Sequence, residues 1–292
     1  MNDNKTVLKL HDSGDSRYSL NFLADDKGVI AKKLSELHRD KDLEIATSQD
    51  DIGDNTIYLI YTKTPFESAY LNFESEEETL QWINEHFTEG DNYVLREVIT
   101  LFDGIITEKE EQGETFSTYK KMNLEAIPDI LNQVEWRQQV PDVGAELLSH
   151  FILSHPMPNT NHRTGIGLLD RYLSSFDGGF VMPDTGEEDV WYPWAKGYIY
   201  DSKRILTLRN HFLKFKHANG FGYEAAERKE GILIEFGDLD FSRSDYHTHY
   251  TARHLKRTRE FVVTVLEEAD ATHLREENDD GKRAFIDRLR EE

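Results

Sequence analysis

The order of apolar and polar residues predicts strands that alternate with helices in the first hundred residues. Runs of β-branched and aromatic residues at 6–10, 17–23 and 56–61 are typical of strands. Between these runs, 28–38 repeats apolar residues at a helical period, and 75–87 opens with a serine followed by acidic residues, as many helices do. This part of the chain is therefore expected to be α+β.

From about residue 119 the pattern becomes helical. Helices are predicted at 124–136, 143–154, 165–175, 201–216, 246–275 and 282–292. The stretch 176–194, which contains glycine and proline, predicts turns and a short hairpin, and strands are predicted at 232–236 and 239–241.

These elements predict a mainly α protein, in which a helical core follows an N-terminal α+β region and precedes a C-terminal extension of strands and a long helix. No internal repeat or low-complexity linker marks the boundaries. We expect three segments, with the α+β region at 1–105, the helical core at 106–220 and the extension at 221–292.

The composition is that of a folded protein, because 38% of the 292 residues are hydrophobic and 11% are aromatic. The chain contains no long uncharged apolar run and no secretory signal pattern, so we expect a soluble cytoplasmic protein with no membrane partner. It also contains no cysteine, which excludes disulfides, thiolate catalysis and cysteine-based metal sites.

The chain is strongly acidic, with 56 acidic and 34 basic residues and a formal net charge of -22. Such a charge opposes non-specific binding to nucleic acid or to anionic lipid. Two interpretations of the charge stay open. The chain is either an ordinary acidic mesophilic protein or one from a salt-rich environment, where ions screen the repulsion among its own charges.

The segment 143–173 contains the residues best suited to chemistry. Its first predicted helix is followed by His155 and a short polar loop, and the next helix is expected to begin near Thr164. A loop that runs into a helix N-terminus presents backbone N–H groups and the positive end of the helix dipole to an anion. Arg163 adds a planar group suited to phosphate. A histidine base, an anion-binding turn and an arginine are what a phosphoryl or nucleotidyl transferase needs.

The loop reads His155-Pro156-Met157-Pro158-Asn159-Thr160-Asn161-His162-Arg163. It resembles the signature of the Fic/Doc family, H-x-F-x-[D/E]-[G/A]-N-[G/K]-R between two helices, with histidine, asparagine and arginine at the family's spacing. A looser likeness extends over 119–212. Ile166 stands where the Fic subgroup has a second arginine, so the resemblance is to Doc-like members.

The resemblance implies a Fic-like helical core that transfers AMP or a phosphoryl group from ATP to a Ser, Thr or Tyr hydroxyl of a target protein. His155 would accept the proton of that hydroxyl. The phosphates would be held by Asn159, Thr160, Asn161, His162 and Arg163. Asn159 stands at the family's Mg²⁺ position, where an amide is a weaker ligand than a carboxylate. The resemblance also implies an antitoxin or another regulatory partner, and it leaves a homo-oligomer open.

Four positions depart from the family pattern, namely Met157, Asn159, Thr160 and His162. These departures leave a second function open, a degenerate Fic-like module that binds a partner without catalysis. A third interpretation is an α+β protein whose helix hairpin carries these residues by chance. If the family function holds, the segment 115–122 is the candidate for the flap that aligns the target peptide.

Three other groups of residues are weaker candidates. His247, His249 and His254 could bind a transition metal, but no ligand set at fixed spacing completes the site, which favours solvated histidines. The basic run 253–259 could contact nucleotide, although a solvated face with paired charges is favoured. The aromatic residues of 191–194 could stack a base, although packing of a loop onto the core is favoured.

Overall fold

The computed structural model describes residues 5–64, 75–114, 116, 118–187 and 190–291. In chain order, its strands and α-helices are β1 (Val7–Lys9), β2 (Ser19–Ala24), α1 (Lys27–Leu37), β3 (Glu44–Ile52), β4 (Asn55–Lys63), α2 (Glu76–His86), α3 (Glu89–Glu111), α4 (Ala126–Gln133), α5 (Val140–Ser154), α6 (Asn161–Ser174), β5 (Gly186–Glu187), β6 (Val190–Trp191), α7 (Pro193–Gly220), β7 (Ala225–Glu227), β8 (Leu233–Glu235), α8 (Tyr246–Glu268) and α9 (Lys282–Glu291). None of the described helices is long and apolar enough to cross a membrane.

The fold class agrees with the expectation from the sequence. The protein is mainly helical, with a small antiparallel sheet near its N-terminus and strands before a long helix toward its C-terminus. Contacts divide the chain into two compact units. Unit 1 comprises Met1–Pro65 and Lys203–Tyr250, and unit 2 comprises Phe66–Ser202 and Thr251–Glu292. The expected boundary near residue 105 falls inside α3, and both units are discontinuous in sequence.

Unit 1 contains two small sheets. The strands β2, β4 and β3 form an antiparallel sheet in that order, and β3 turns into β4 through Gly53, whose φ of 59° suits glycine. In the second sheet β7 pairs with β1 in parallel and with β8 in antiparallel orientation. Asp26 is the N-cap residue of the helix α1, and its side chain accepts hydrogen bonds from the N–H groups of Gly28 and Val29.

Unit 2 is a helical unit around one apolar core. The helices α5 and α6, which carry the candidate loop between them, pack closely because glycine stands at their contact. A Cβ at Gly165 would lie 3.0 Å from Cδ1 of Leu148 and 3.2 Å from Phe151, and one at Gly144 would lie 3.0 Å from Leu169. Close packing of this hairpin fixes the two ends of the loop relative to each other.

Several predicted elements differ from the structure at their ends. The helix predicted at 165–175 begins earlier, at Asn161, and the one predicted at 201–216 extends over Pro193–Gly220. The helix predicted at 246–275 ends at Glu268, beyond which Asp270 has a φ of 53°. The strand predicted at 239–241 is wrong, because a 3-10 turn at Phe236–Asp238 ends the pairing.

Three elements have no counterpart in the sequence prediction. They are β3, β7 and the 23-residue helix α3. In α3 the buried residues include Val94, Leu95, Val98, Ile99 and Phe102, which repeat at helical spacing. Their β-branched members favour a strand locally, so only the period over the whole segment indicates a helix.

Candidate functional site

His155 lies where the chain leaves α5. It has φ 52° and ψ 55°, the left-handed conformation that often ends helices, and its N–H still donates to the carbonyl of Phe151 at 2.9 Å. This conformation costs a non-glycine residue about 1–2 kcal/mol. Met157, two residues later, is fully buried in the core and anchors the loop there.

Asn161, the first residue of α6, closes the loop with its side chain. Its Oδ1 accepts from the N–H of Met157 at 2.9 Å, and its Nδ2 donates to the carbonyl of the same residue at 2.9 Å. Nδ2 also lies 3.2 Å from Nδ1 of His155. The side chain is 2% exposed. The side chain of Asn161, which was expected to bind phosphate, therefore stabilises the loop. It also brings the His155 ring to the N-terminus of α6.

The contact with Asn161 sets the tautomer of His155. The two hydrogen bonds to Met157 fix which amide atom of Asn161 is nitrogen. Because an amide nitrogen only donates, Nδ1 of His155 acts as the acceptor, and a neutral ring carries its proton on Nε2. Nδ1 becomes available to accept another proton when the contact with Asn161 is broken.

The N-terminus of α6 is not capped by the side chain of its N-cap residue, Thr160. Thr160 is 6% exposed, has φ 55°, and its Oγ1 is buried without a hydrogen-bond partner among the described residues. Its N–H donates to Oδ1 of Asn159 at 2.7 Å. First-turn N–H groups of a helix have no partner within the helix, so this end can accept an anion.

Arg163, also in the first turn of α6, pairs with Glu108 of α3 at 2.5 Å between Nη2 and Oε2. Both residues line a cavity of about 650 Å³. The other lining residues are Ile166, Met182, Pro183, Asp184, Thr185, Gly186 and Tyr192. His155 is not among the residues that line it, so this cavity contains the arginine without the histidine.

His162 belongs to a buried chain of hydrogen bonds inside unit 2. Its Nε2 lies 2.9 Å from Oγ of Ser202, which lies 2.7 Å from Nε2 of His254. Nδ1 of His254 lies 2.8 Å from Oγ of Ser149. All four residues are at most 8% exposed, and they come from α6, α7, α8 and α5. The ring of His162 thus faces Ser202, and only its backbone N–H stays a candidate for phosphate.

The sequence did not indicate this series of hydrogen bonds, because the residues that contact each other are separated by 40 to 105 positions. Ser149 gives the one local signal, a polar residue within the apolar run of α5. His254, proposed above with His247 and His249 for a metal, instead contacts two serines.

The segment that precedes α4 runs along the candidate loop. The N–H groups of Asn123 and Tyr119 donate to the carbonyls of Pro156 and Pro158 at 2.8 and 3.2 Å. Nζ of Lys120 donates to the carbonyl of His155, and burial lowers the pKa of Lys120 to about 8. Of the expected flap at 115–122, residues 115 and 117 lie outside the described residues, and 118–122 do not form a strand.

The residues around Asn159 do not fit a Mg²⁺ site. Mg²⁺ in proteins is bound through carboxylates, water and substrate phosphates. Asn159 supplies one neutral oxygen, which accepts from Thr160, and the carboxylate of Glu108 pairs with Arg163. In the part of the chain that the structure describes, no group of three His, Asp or Glu side chains could hold a metal ion.

Several residues of the remaining candidate groups have structural roles. Trp191 is buried in the core, and Trp194 stacks on Phe261 with ring centroids 5.7 Å apart, as the packing interpretation expects. In the basic run, Arg257 pairs with Asp201 at 2.9 Å, and Arg259 pairs with Asp142 at 2.6 Å. Two arginines of this run therefore carry paired charges.

Comparison with known proteins identifies a family but no activity. The model of a family described as "Family of unknown function (DUF8172)" matches residues 4–292, which is nearly the whole chain. No curated protein and no solved structure matches the sequence. The resemblance to the Fic/Doc family therefore rests on the loop residues and the helices beside them.

Proposed function

The chain belongs to the DUF8172 family, and we propose that it is a Fic/Doc-like transferase that acts in the cytoplasm. It moves AMP or a phosphoryl group from a nucleoside triphosphate to a Ser, Thr or Tyr hydroxyl of a target protein. The observation that carries this proposal is the contact between Asn161 and His155 at 3.2 Å, which places the histidine beside the N-terminus of α6.

Two features support nucleotide binding. The N-terminus of α6, without a side-chain cap from Thr160, suits a phosphate group. The cavity beside Arg163 has a volume of about 650 Å³, which lies within the usual range of small-molecule sites, roughly 300–1,000 Å³. Tyr192 lines this cavity and is 45% exposed, so its ring offers a face for a nucleobase.

In the proposed reaction the target hydroxyl loses its proton and its oxygen attacks phosphorus. Pyrophosphate leaves when AMP is transferred, and ADP leaves when the γ-phosphoryl group is transferred. His155 accepts the proton at Nδ1 after its contact with Asn161 breaks, while Nε2–H donates to a phosphate oxygen. No step uses a metal ion, since the residues at Asn159 do not fit one.

The ion pair between Arg163 and Glu108 favours a second candidate function. In the structure the arginine contacts a carboxylate of its own chain, and Nδ1 of His155 faces an amide donor. Both groups are thus engaged without a substrate. A Fic-like module that binds a nucleotide or a regulatory partner, such as an antitoxin, without transferring anything is consistent with these contacts.

Labelled ATP distinguishes the two functions. The purified protein and a cell lysate are incubated with [α-³²P]ATP or [γ-³²P]ATP, with a divalent cation or with EDTA. Protein labelled from the α-phosphate supports AMP transfer, and protein labelled only from the γ-phosphate supports kinase activity. ATP binding by calorimetry without any labelling supports the module.

His155→Ala is the matched control, and circular dichroism tests whether this variant folds. We expect it to lose labelling while keeping its helical content. Labelling at an unchanged rate in the folded variant would rule out His155 as the base.

A further inference from the structure

The segment 119–123 binds carbonyl groups of the candidate loop. The N–H of Asn123 donates to the carbonyl of Pro156 at 2.8 Å, and the N–H of Tyr119 donates to the carbonyl of Pro158 at 3.2 Å. Because proline has no N–H, the carbonyl is the only backbone hydrogen-bonding group of each of these two residues. The segment therefore fixes the loop at both of its prolines.

The side chain of Lys120 contributes a third hydrogen bond, from Nζ to the carbonyl of His155. Lys120 is partly buried. In the part of the chain that the structure describes, no carboxylate forms an ion pair with it. Burial lowers its pKa to about 8, so the ammonium group keeps its proton at pH 7. A partly buried ammonium without a carboxylate needs the carbonyl of His155, because leaving its donors unsatisfied is costly.

The carbonyl that Lys120 binds belongs to a residue in an uncommon backbone conformation. His155 has φ 52° and ψ 55°, and ψ sets the direction of its carbonyl. A non-glycine residue stays in the left-handed conformation only where other contacts offset the cost. Hydrogen bonds from a charged donor are roughly twice as strong as neutral ones. The contact with Lys120 therefore stabilises the conformation that His155 adopts at the end of α5.

The backbone conformation of His155 decides where its ring lies. The direction of the Cα–Cβ bond and the allowed rotamers follow from φ and ψ. With the observed angles, Nδ1 of the ring lies 3.2 Å from Nδ2 of Asn161 at the N-terminus of α6. A change to an extended or right-handed backbone would move Cβ and the ring away from this contact. Lys120 thus acts on the ring through the backbone of His155.

We propose that Lys120 is a positioning residue for His155. By holding the carbonyl of His155, Lys120 keeps the imidazole beside the N-terminus of α6, where the phosphate groups of the nucleotide are expected. This role rests on the proposed function, because it assigns Lys120 to the same transfer reaction. Since Lys120 contacts the residue that accepts the proton, its loss should slow the transfer step while the affinity for nucleotide stays nearly the same.

NMR of the full chain tests the positioning directly. The protein is labelled with ¹³C and ¹⁵N at histidine, and the signals of His155 are assigned by comparison with His155→Ala. We expect Lys120→Met, which keeps the length of the side chain but removes its donor, to change the shifts of Cα and Nδ1 of His155. Lys121→Met, the same change at the exposed neighbouring residue, should leave both shifts unchanged. Unchanged shifts in a folded Lys120→Met variant would overturn the proposal.

Transfer kinetics test the consequence of the positioning. Lys120→Met should lower kcat at least about tenfold and change the KM for nucleotide by less than about threefold, because the ring is misplaced while the phosphate donors of α6 stay in place. Lys120→Arg keeps a charged donor and should recover part of both kcat and the His155 shifts. Lys121→Met should match the wild type. If Lys120→Met does not fold, as judged by circular dichroism, Lys120→Gln removes the charge in the same way.

Two outcomes separate this proposal from the proposed function. A wild-type protein that transfers no label contradicts the proposed function, and with it the catalytic role of Lys120. Transfer by the wild type at an equal kcat in folded Lys120→Met contradicts the role of Lys120 alone. A large loss of nucleotide affinity in Lys120→Met with unchanged His155 shifts would also overturn the proposal, by identifying the ammonium group as a phosphate ligand.

Discussion

At the scale of single residues, the geometry of the candidate loop depends on the side chain of Asn161. One amide contacts the backbone of Met157 twice and the ring of His155 once, and it is buried. Both halves of the amide are needed, since one accepts and the other donates. The residue that the family resemblance assigned to phosphate is therefore first a structural residue of the loop.

This dual role predicts opposite outcomes for two neighbouring substitutions. Asn161→Asp removes the donor half and buries a carboxylate, so it should lower the free energy of unfolding by about 1–3 kcal/mol. Asn159→Asp keeps the oxygen that accepts from Thr160 and adds a negative charge at the N-terminus of α6, so it should be neutral or stabilise by about 0.3–1 kcal/mol. Chemical denaturation of both variants measures the difference, and equal losses would contradict it.

The ion pair at Arg163 predicts that Glu108 weakens the binding of anions. Glu108→Gln removes the carboxylate that a phosphate must displace. The variant should bind ATP several-fold more tightly, which corresponds to about 1 kcal/mol. Calorimetric titration measures the affinity, and Glu110→Gln, an exposed change on the same helix, is the control. Equal affinities in the two variants would mean that Arg163 does not contact the ligand.

At the scale of elements, the position of the loop follows from the contact between α5 and α6. Glycine at this contact lets the two helices approach, and any Cβ at Gly165 meets side chains of α5. The loop therefore spans a fixed distance, and its two left-handed residues, His155 and Thr160, accommodate the sharp turns that this distance requires.

Two glycine substitutions separate packing from helix propensity. Gly104→Ala in α3 meets no atom within 4 Å, so it should stabilise the protein by about 0.5–1 kcal/mol. Gly165→Ala gains the same propensity but crowds Leu148 and Phe151, at an overpacking cost of about 1–3 kcal/mol. Thermal melts should show a higher midpoint for the first variant and no gain or a loss for the second. An equal rise of the thermal midpoint in both variants would show that the contact between α5 and α6 has room for a methyl group.

At the scale of the whole molecule, the main electrostatic feature is the net charge of -22. Many ion pairs lie at the surface, such as Arg17 with Asp15 and Arg290 with Glu89. Pairs of this kind contribute little each, and they leave the excess of acidic residues unbalanced. Repulsion among these charges lowers the stability of the compact state.

Salt should therefore stabilise this protein. Raising NaCl from about 0.1 to 1 M shortens the screening length from about 10 to 3 Å, which removes most of the repulsion between surface charges. We expect the thermal midpoint to rise by several degrees, and to rise further if the protein comes from a salt-rich environment. A midpoint that falls with added salt would mean that attractive pairs outweigh the repulsion.

The sequence by itself determined the fold class and most of the helices, because those depend on local periodicity. The apolar period of α5 and the serine before α2 involve residues only a few positions apart, so the sequence alone is enough to recognise these helices. The same holds for the loop, whose histidine, asparagine and arginine stand at recognisable spacing. Spacing therefore predicted which residues form the candidate loop.

Only the tertiary structure decided what those side chains contact. β7 pairs with β1 across more than 200 positions, Glu108 reaches Arg163 across 55 positions and His254 reaches Ser149 across 105. Each contact depends on how separate elements pack, and a local pattern contains no information about that. The physical reason is that a hydrogen bond or an ion pair depends on distances in space of a few Å, whereas the sequence specifies only distances along the chain.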